Sequence, residues 1–315
     1  MVTAMKAREL GRNSVVVGDR VALAGDTSGA TGSLARIVRV EERTSELRRS
    51  PDDTDPMERV IVANAVQMII VCALADPAPK TRFIDRCLVA AYDAGLDPVL
   101  VLTKSDLAAA SPGGASGVSA RGVLDGSPSV SSTLRKIRAF YKPLGIPMLT
   151  TRQPLPAVTL SRLRSMLSGM ESVLIGQSGV GKSTLVNALI PDADRAVGHV
   201  NAVTGKGRHT SSSAIALRLP PTARSAQGGG WLIDTPGVRG FGLGHMSPQR
   251  VIEAFGDLAE GTENCPPGCD HRSADCALEE WIDQHYSPAQ APEAASARAR
   301  LDSLRRLLRS RESAD

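Results

Sequence analysis

Apolar residues in the middle of this chain fall in short, almost unbroken runs separated by amphipathic stretches. MIIVCALA (residues 68–75) and PVLVLT (residues 98–103) carry hardly a polar position, which predicts strands buried on both faces. Between them Phe83, Ile84, Cys87, Leu88 and Ala91 recur at helical spacing on one stripe. Residues 146–149 and 172–175 predict further strands, and residues 160–167 a helix. A helix carrying Val186, Leu189 and Ile190 follows a glycine-rich stretch, and WLID (residues 231–234) predicts another strand. Strands alternating with helices specify an α/β fold with a mainly parallel sheet covered on both faces.

The two ends read differently. Residues 15–47 show no helical period. VVVGDRVALAG has strand composition and SLARIVRVEER alternates apolar with basic residues, so a small β-rich module is predicted. Beyond about residue 245 the pattern is helical, ending in a helix with Leu301, Leu304, Leu307 and Leu308 on one side. Residues 108–133 are rich in Ala, Ser, Gly and Pro and predict a flexible surface insertion. The expected division is a β module over residues 1–55, an α/β domain over 56–245 and a helical C-terminal domain over 246–315.

Composition narrows this picture. A length of 315 residues exceeds one small domain, and with only 3% aromatics the cores must be filled by Val, Leu, Ile and Ala. A formal charge of +4 permits a nucleic-acid partner without requiring one. Arg36, Arg39, Arg43, Arg48 and Arg49 make the β module locally basic; on charge alone, a solvated sheet face is slightly preferred to an RNA-binding one. The first twenty residues lack the apolar core of a secretory signal, and no apolar run approaches a membrane span. A cytoplasmic protein with no membrane association is expected.

The glycine-rich stretch is GQSGVGKST: Gly176, Gln177, Ser178, Gly179, Val180, Gly181, Lys182, Ser183 and Thr184. It matches G-x-x-x-x-G-K-[ST] at every fixed position, with a predicted strand before it and a helix after. Glycines let backbone N–H groups converge on phosphate oxygens, Lys182 sets a cation against the β- and γ-phosphates, and the Ser183 hydroxyl can ligate Mg²⁺. Downstream, DTPG supplies Asp234 for Mg²⁺ and the Gly237 N–H for a γ-phosphate, while Thr210 in GRHTSSS is a weaker candidate for a second Mg²⁺ hydroxyl.

Base choice falls to Thr103, Lys104, Ser105 and Asp106, at the end of a buried strand. The Asp106 carboxylate can accept from guanine N1–H and N2–H₂, and adenine would leave it desolvated and unpaired. GTP and GDP are therefore the expected nucleotides. TKSD precedes the phosphate loop, the reverse of the usual order in translation-factor-type GTPases, so a circular permutation is inferred. A parallel sheet tolerates this because its assembled strands hold the same sites whatever their chain order. In-line attack of water is expected, with Lys182, Asp234 and Thr210 as the catalytic set. Val238 stands where Ras-like enzymes carry a water-orienting Gln, so unassisted turnover should be slow; His209 is a weaker candidate for completing the site.

Cys265, Cys269, His271 and Cys276 form C-x₃-C-x-H-x₄-C. Three thiolates and an imidazole make a closed tetrahedral set that suits structural Zn²⁺. Cys72 and Cys87 lie in strand and helix patterns and are read as core residues.

The β module, the permuted motifs and the Cys₃His set together resemble the ribosome small-subunit-dependent GTPase A (RsgA) family over nearly the whole chain. VVGDRV, SLARIVRVEER, IDR (residues 84–86), TKSD, GQSGVGKST, GRHTS and DTPGVRGFGL carry the resemblance. It implies an N-terminal OB-fold, a central GTPase domain and a C-terminal zinc domain. It further implies binding to the small ribosomal subunit and its rRNA, with GTP hydrolysis stimulated by that subunit during late maturation. No DNA partner and a monomeric state are expected. Three features depart from the family: a short N-terminal module, Cys/His gaps tighter by one residue than C-x₄-C-x-H-x₅-C, and the 108–133 insertion. On the residues alone an ATP-using P-loop enzyme, or a zinc and β-module RNA-binding protein with a passive nucleotide switch, remain as rival readings.

Overall fold

The computed structural model describes residues 1–11, 14–50, 58–109, 132–193, 214–221, 229–236, 242–243, 246–273 and 275–312. Most of the 108–133 insertion lies outside the described residues, as do Gly237 and all of the 194–213 stretch.

The N-terminal part is β-rich. Strand β1 (Ala4–Lys6) pairs in parallel with β3 (Ala35–Val40), and β3 pairs antiparallel with β2 (Val21–Gly25). A second, two-stranded sheet joins β4 (Glu46–Arg49) to β5 (Arg59–Ala63), so strand pairing in this region continues past residue 55. The Asn64 side chain joins the pieces, accepting from the Thr44 N–H at 2.8 Å and donating to the Gly18 carbonyl at 2.9 Å. Much of the local arginine charge is paired internally. Arg43 bonds both Asp19 oxygens at 2.7 and 3.0 Å and Glu46 at 2.9 Å, Arg48 meets Glu46 and Glu58, and Arg39 meets Glu41. Arg43 thus acts as a fastener of the module rather than as a free cation for a partner.

The central sheet has six strands in the order β10-β11-β9-β6-β7-β8. These are β6 (Gln67–Ala73), β7 (Asp97–Thr103), β8 (Met148–Thr150), β9 (Met170–Gly176), β10 (Ile215–Arg218) and β11 (Gly230–Asp234). All neighbours are parallel except the edge strand β10, which runs antiparallel to β11. Every residue of β6 is buried, as its apolar run requires of a strand packed on both faces.

Strand alternation then sorts the core into two layers. Met68, Ile70 and Cys72 face one cluster with α1 (Thr81–Asp93), α3 (Ser132–Tyr141) and the C-terminal helices. Ile69, Val71 and Ala73 face the other, with α4 (Ala157–Leu167) and α5 (Lys182–Leu189). Cys72 and Cys87 are buried in the first cluster, as packing residues. Helix α4 begins three residues before the predicted Leu160, at Ala157. Its first turn exposes Val158 at 77%, so no apolar stripe marks that turn in the sequence. A short helix, α2 (Ser105–Ala109), begins within TKSD, directly after β7.

The C-terminal unit is helical: α6 (Pro248–Glu253), α7 (Gly256–Ala259), α8 (Leu278–His285) and α9 (Ala291–Glu312). Ser247 caps α6 by accepting the Arg250 N–H at 3.2 Å. Arg250 itself reaches back to α1, donating to both Asp93 oxygens at 3.0 Å.

Candidate nucleotide site

Parallel strands end together, and that is how three distant motifs meet. Ala73 stands across from Thr103, Val71 from Gly176, and Leu174 from Asp234. TKSD, the phosphate loop and the start of DTPG therefore leave the same carboxyl edge of the sheet, where α/β folds bind ligands.

The phosphate loop requires its glycines. A Cβ on Gly176 would sit 2.8 Å from the Val71 carbonyl oxygen and 3.0 Å from Val180 Cγ2. Gly181, which opens α5, has φ +95°, a conformation that side chains resist. Lys182 is buried, and its ammonium donates to the Gly176 carbonyl at 2.8 Å and the Gln177 carbonyl at 3.3 Å. Burial lowers its pKa, and the Asp234 charge opposes that shift. Ser183 and Thr184 are exposed on the first turn of α5, where free backbone N–H groups and the helix dipole favour an anion.

Asp234 fits a cation. Its Oδ1 is buried without a hydrogen-bond partner among the described residues, and burial raises its pKa with Lys182 only partly compensating. An acceptor left bare in this way costs stability unless something binds it, and a divalent ion would do so. Next to it, Thr235 donates to the Leu174 carbonyl at 2.7 Å, which holds the start of DTPG against β9. Thr210 and Gly237 lie outside the described residues, as do His209 and Val238.

TKSD is locked to the phosphate loop. The Thr103 hydroxyl donates to the Val180 carbonyl at 2.5 Å. Lys104 adopts φ +57° and its ammonium donates to the Asp76 carbonyl. The Ser105 N–H bonds the Thr151 carbonyl at 3.2 Å, and Asp106 Oδ1 accepts the Gln153 N–H at 3.2 Å. The loop after β8 thus completes the wall. Thr151, Arg152, Gln153 and Leu155 line a cleft of about 410 Å³, including space open to solvent, with Thr103, Lys104, Gly181, Thr184 and Leu185. Sequence reading missed these four residues. The signal for them was positional: a polar run, TTRQ, leaving a buried strand of the same parallel sheet.

In the C-terminal unit, the ligand atoms of Cys265, Cys269, His271 and Cys276 all lie within 4.8 Å of one another. Cys265 Sγ is 3.6 Å from His271 Nδ1 and 3.9 Å from Cys276 Sγ. A tetrahedron with Zn–S bonds of about 2.3 Å has edges of about 3.8 Å, so the donor set fits zinc. Arg305 on α9 donates to the His271 carbonyl at 3.3 Å and fastens this loop from outside.

A phosphate loop, a guanine-type TKSD and a DTPG strand on one sheet edge, with TKSD first in the chain, define a P-loop GTPase of circularly permuted order. The comparisons name the branch. The RsgA GTPase family model matches residues 40–244, and the chain belongs to that family. The small ribosomal subunit biogenesis GTPase RsgA of Pseudomonas aeruginosa (strain LESB58) is 36% identical over 267 residues, covering 84% of this chain and 69% of that protein. The protein of the same name from Chromohalobacter salexigens is 35% identical over 274 residues, covering 86% and 70%. Among solved structures, YjeQ from Thermotoga maritima superposes with a TM-score of 0.58 at 24% identity, covering 97% of this chain and 89% of that one. YloQ, described as a circularly permuted GTPase, gives 0.57 at 20% identity, covering 100% and 87%. These two likenesses bear on the fold alone. Among the described residues no helix is long and apolar enough to cross a membrane.

Proposed function

We propose that this chain binds the small ribosomal subunit and hydrolyses GTP during its late maturation, with the subunit stimulating hydrolysis. The observation that carries the reading is the meeting of Thr103, Lys104 and Asp106 with the phosphate loop and Asp234 on one sheet edge, together with the names of the relatives.

In this reading residues 176–184 cradle the phosphates, Lys182 leaves its loop carbonyls for the β- and γ-phosphates, and Ser183, Thr210 and Asp234 serve Mg²⁺. The metal supplies charge neutralisation on the transferring phosphoryl group. Gly237 meets the γ-phosphate, and Asp106 reads the guanine edge beside Lys104 and Ser105. Cys265, Cys269, His271 and Cys276 hold a structural zinc ion. The N-terminal strands form an OB-like module, and the protein works as a cytoplasmic monomer contacting rRNA.

Val238 offers no hydrogen bond to an attacking water, so turnover by the isolated chain should be slow and the subunit should complete the site. Measuring GTP hydrolysis alone and with purified small or large subunits tests this. Stimulation by small subunits only is expected; equal rates in all three conditions would overturn it.

A further inference from the structure

Asp85 is a carboxylate buried to 1% exposure, outside the nucleotide motifs, that the nucleotide chemistry does not use. It sits on α1, and four donor atoms converge on it. From α3, the Tyr141 hydroxyl reaches Oδ1 at 2.8 Å; from α9, Ser303 reaches the same oxygen at 3.2 Å. Arg306 of α9 bonds Oδ2 twice, through Nε at 3.0 Å and Nη2 at 2.8 Å. The guanidinium also lies 4.1 Å over the Phe140 ring. An ion pair this enclosed adds little net stability over apolar packing; what it supplies is a fixed geometry between two parts of the chain.

Those parts are the nucleotide edge and the Cys/His unit. Helix α1 starts at Thr81, directly after the loop that follows β6. That loop touches both nucleotide motifs: the Asp76 carbonyl holds the Lys104 ammonium, and Pro77 Cδ lies 3.9 Å from where a Gly179 side chain would begin. Leu74 N–H bonds the Thr103 carbonyl at 2.9 Å. At the other end, α9 carries Arg305, which holds the His271 carbonyl and pairs with Glu279 of α8. The Lys104 stem that would lie along a bound base ends in the ammonium held by Asp76, so base binding and this loop share one side chain.

We infer that the Asp85–Arg306 junction carries nucleotide occupancy from the 74–80 loop through α1 to the C-terminal helices. This rests on the guanine-site reading above. The route crosses between elements far apart in sequence, α1 and α9.

The two tryptophans make it testable, since Trp281 lies on α8 in the C-terminal unit and Trp231 on β11. In full-length Trp231→Phe protein, Trp281 fluorescence reports the C-terminal helices alone. Saturating GDP with Mg²⁺ should shift that emission. An Asp85→Asn/Arg306→Met pair in the same background, which leaves no unpaired buried charge, should lose at least half of the shift while its calorimetric GDP affinity stays within threefold. Full amplitude in the pair variant, or no shift in the parent despite calorimetric binding, overturns the inference. If calorimetry shows no GDP binding at all, the site reading itself fails. Should the pair variant not fold, hydrogen exchange of residues 291–309 in the unaltered protein must change on adding GDP, and identical exchange is equally decisive against the junction.

Discussion

The Thr103 hydroxyl donates to the Val180 carbonyl oxygen across 2.5 Å, joining the base-reading motif to the middle of the phosphate loop. Both groups are buried, so the bond is shielded from water and its loss leaves a desolvated carbonyl. Such a loss costs about 1–3 kcal/mol. Because the bond fixes the two halves of the site relative to each other, the cost should fall on affinity. Thr103→Val should weaken GDP binding on the order of tenfold by titration calorimetry, and Thr103→Ser should restore most of it. Unchanged affinity in the Val variant would mean that the loop holds its shape without TKSD.

Asp106 is the expected source of guanine selectivity. Its Oδ1 accepts the Gln153 N–H at 3.2 Å, and Gln153 lines the cleft. Asp106→Asn turns an acceptor into a donor at one position. It should reduce GDP affinity by about 100-fold or more and raise affinity for xanthosine diphosphate, by the logic that a site built for a hydrogen bond rejects a ligand lacking it. Competition binding with the two diphosphates gives the answer; a parallel loss for both would point to a structural role instead.

How much of this could be read from residue order follows from what each signal depends on. Strand β6 announced itself because six of its seven positions are apolar and all seven are buried, and the phosphate loop because its glycines are demanded by backbone contacts such as Gly176 against Val71. The loop after β8 did not, because Thr151 and Gln153 contribute largely through backbone groups that almost any residue could offer. The arginines of the β module looked like a basic surface, yet Arg43 is bonded to Asp19, a partner 24 residues away that no local pattern reveals. Asp85 was visible only as part of a family-like IDR; its bond to Arg306 spans 221 residues.

Removing metal from the Cys/His set should loosen the C-terminal unit. Burial holds the Cys265 thiol above its ordinary value and pushes Cys276 up to about 11. Both thiols therefore carry protons at neutral pH before zinc arrives, and zinc ligation must displace them. Titrating zinc into the stripped protein in two buffers of different ionisation enthalpy should show release of at least two protons for each ion bound. Cys269→Ser should lower zinc content and expose α8 and α9 to proteolysis, while leaving GDP binding within a few-fold. Zinc uptake without proton release would contradict the thiol assignment.

Asp234 sets stability against activity. Burial raises its pKa above the usual 3.8, with Lys182 opposing, so the folded chain holds this proton more tightly than the unfolded one. A proton held in that way stabilises the fold below the unfolded value, and its contribution is lost as pH rises through the folded one. Above the folded value the nucleotide-free protein therefore carries an ionised carboxylate whose Oδ1 has no hydrogen-bond partner among the described residues, at a cost. Asp234→Asn removes the charge with little change in shape, and it should raise the thermal midpoint of the nucleotide-free protein at pH 7. The advantage should shrink as pH falls through the native carboxyl's raised value and the group takes up its proton. Hydrolysis should move the other way, falling on the order of 100-fold or more with the loss of a charged group at the metal. Thermal scans of both proteins across this pH range, with no nucleotide added, decide the matter. An Asn variant no more stable than its parent at neutral pH would show that the bare carboxylate is not under strain, and with it would go the reason for placing a cation there.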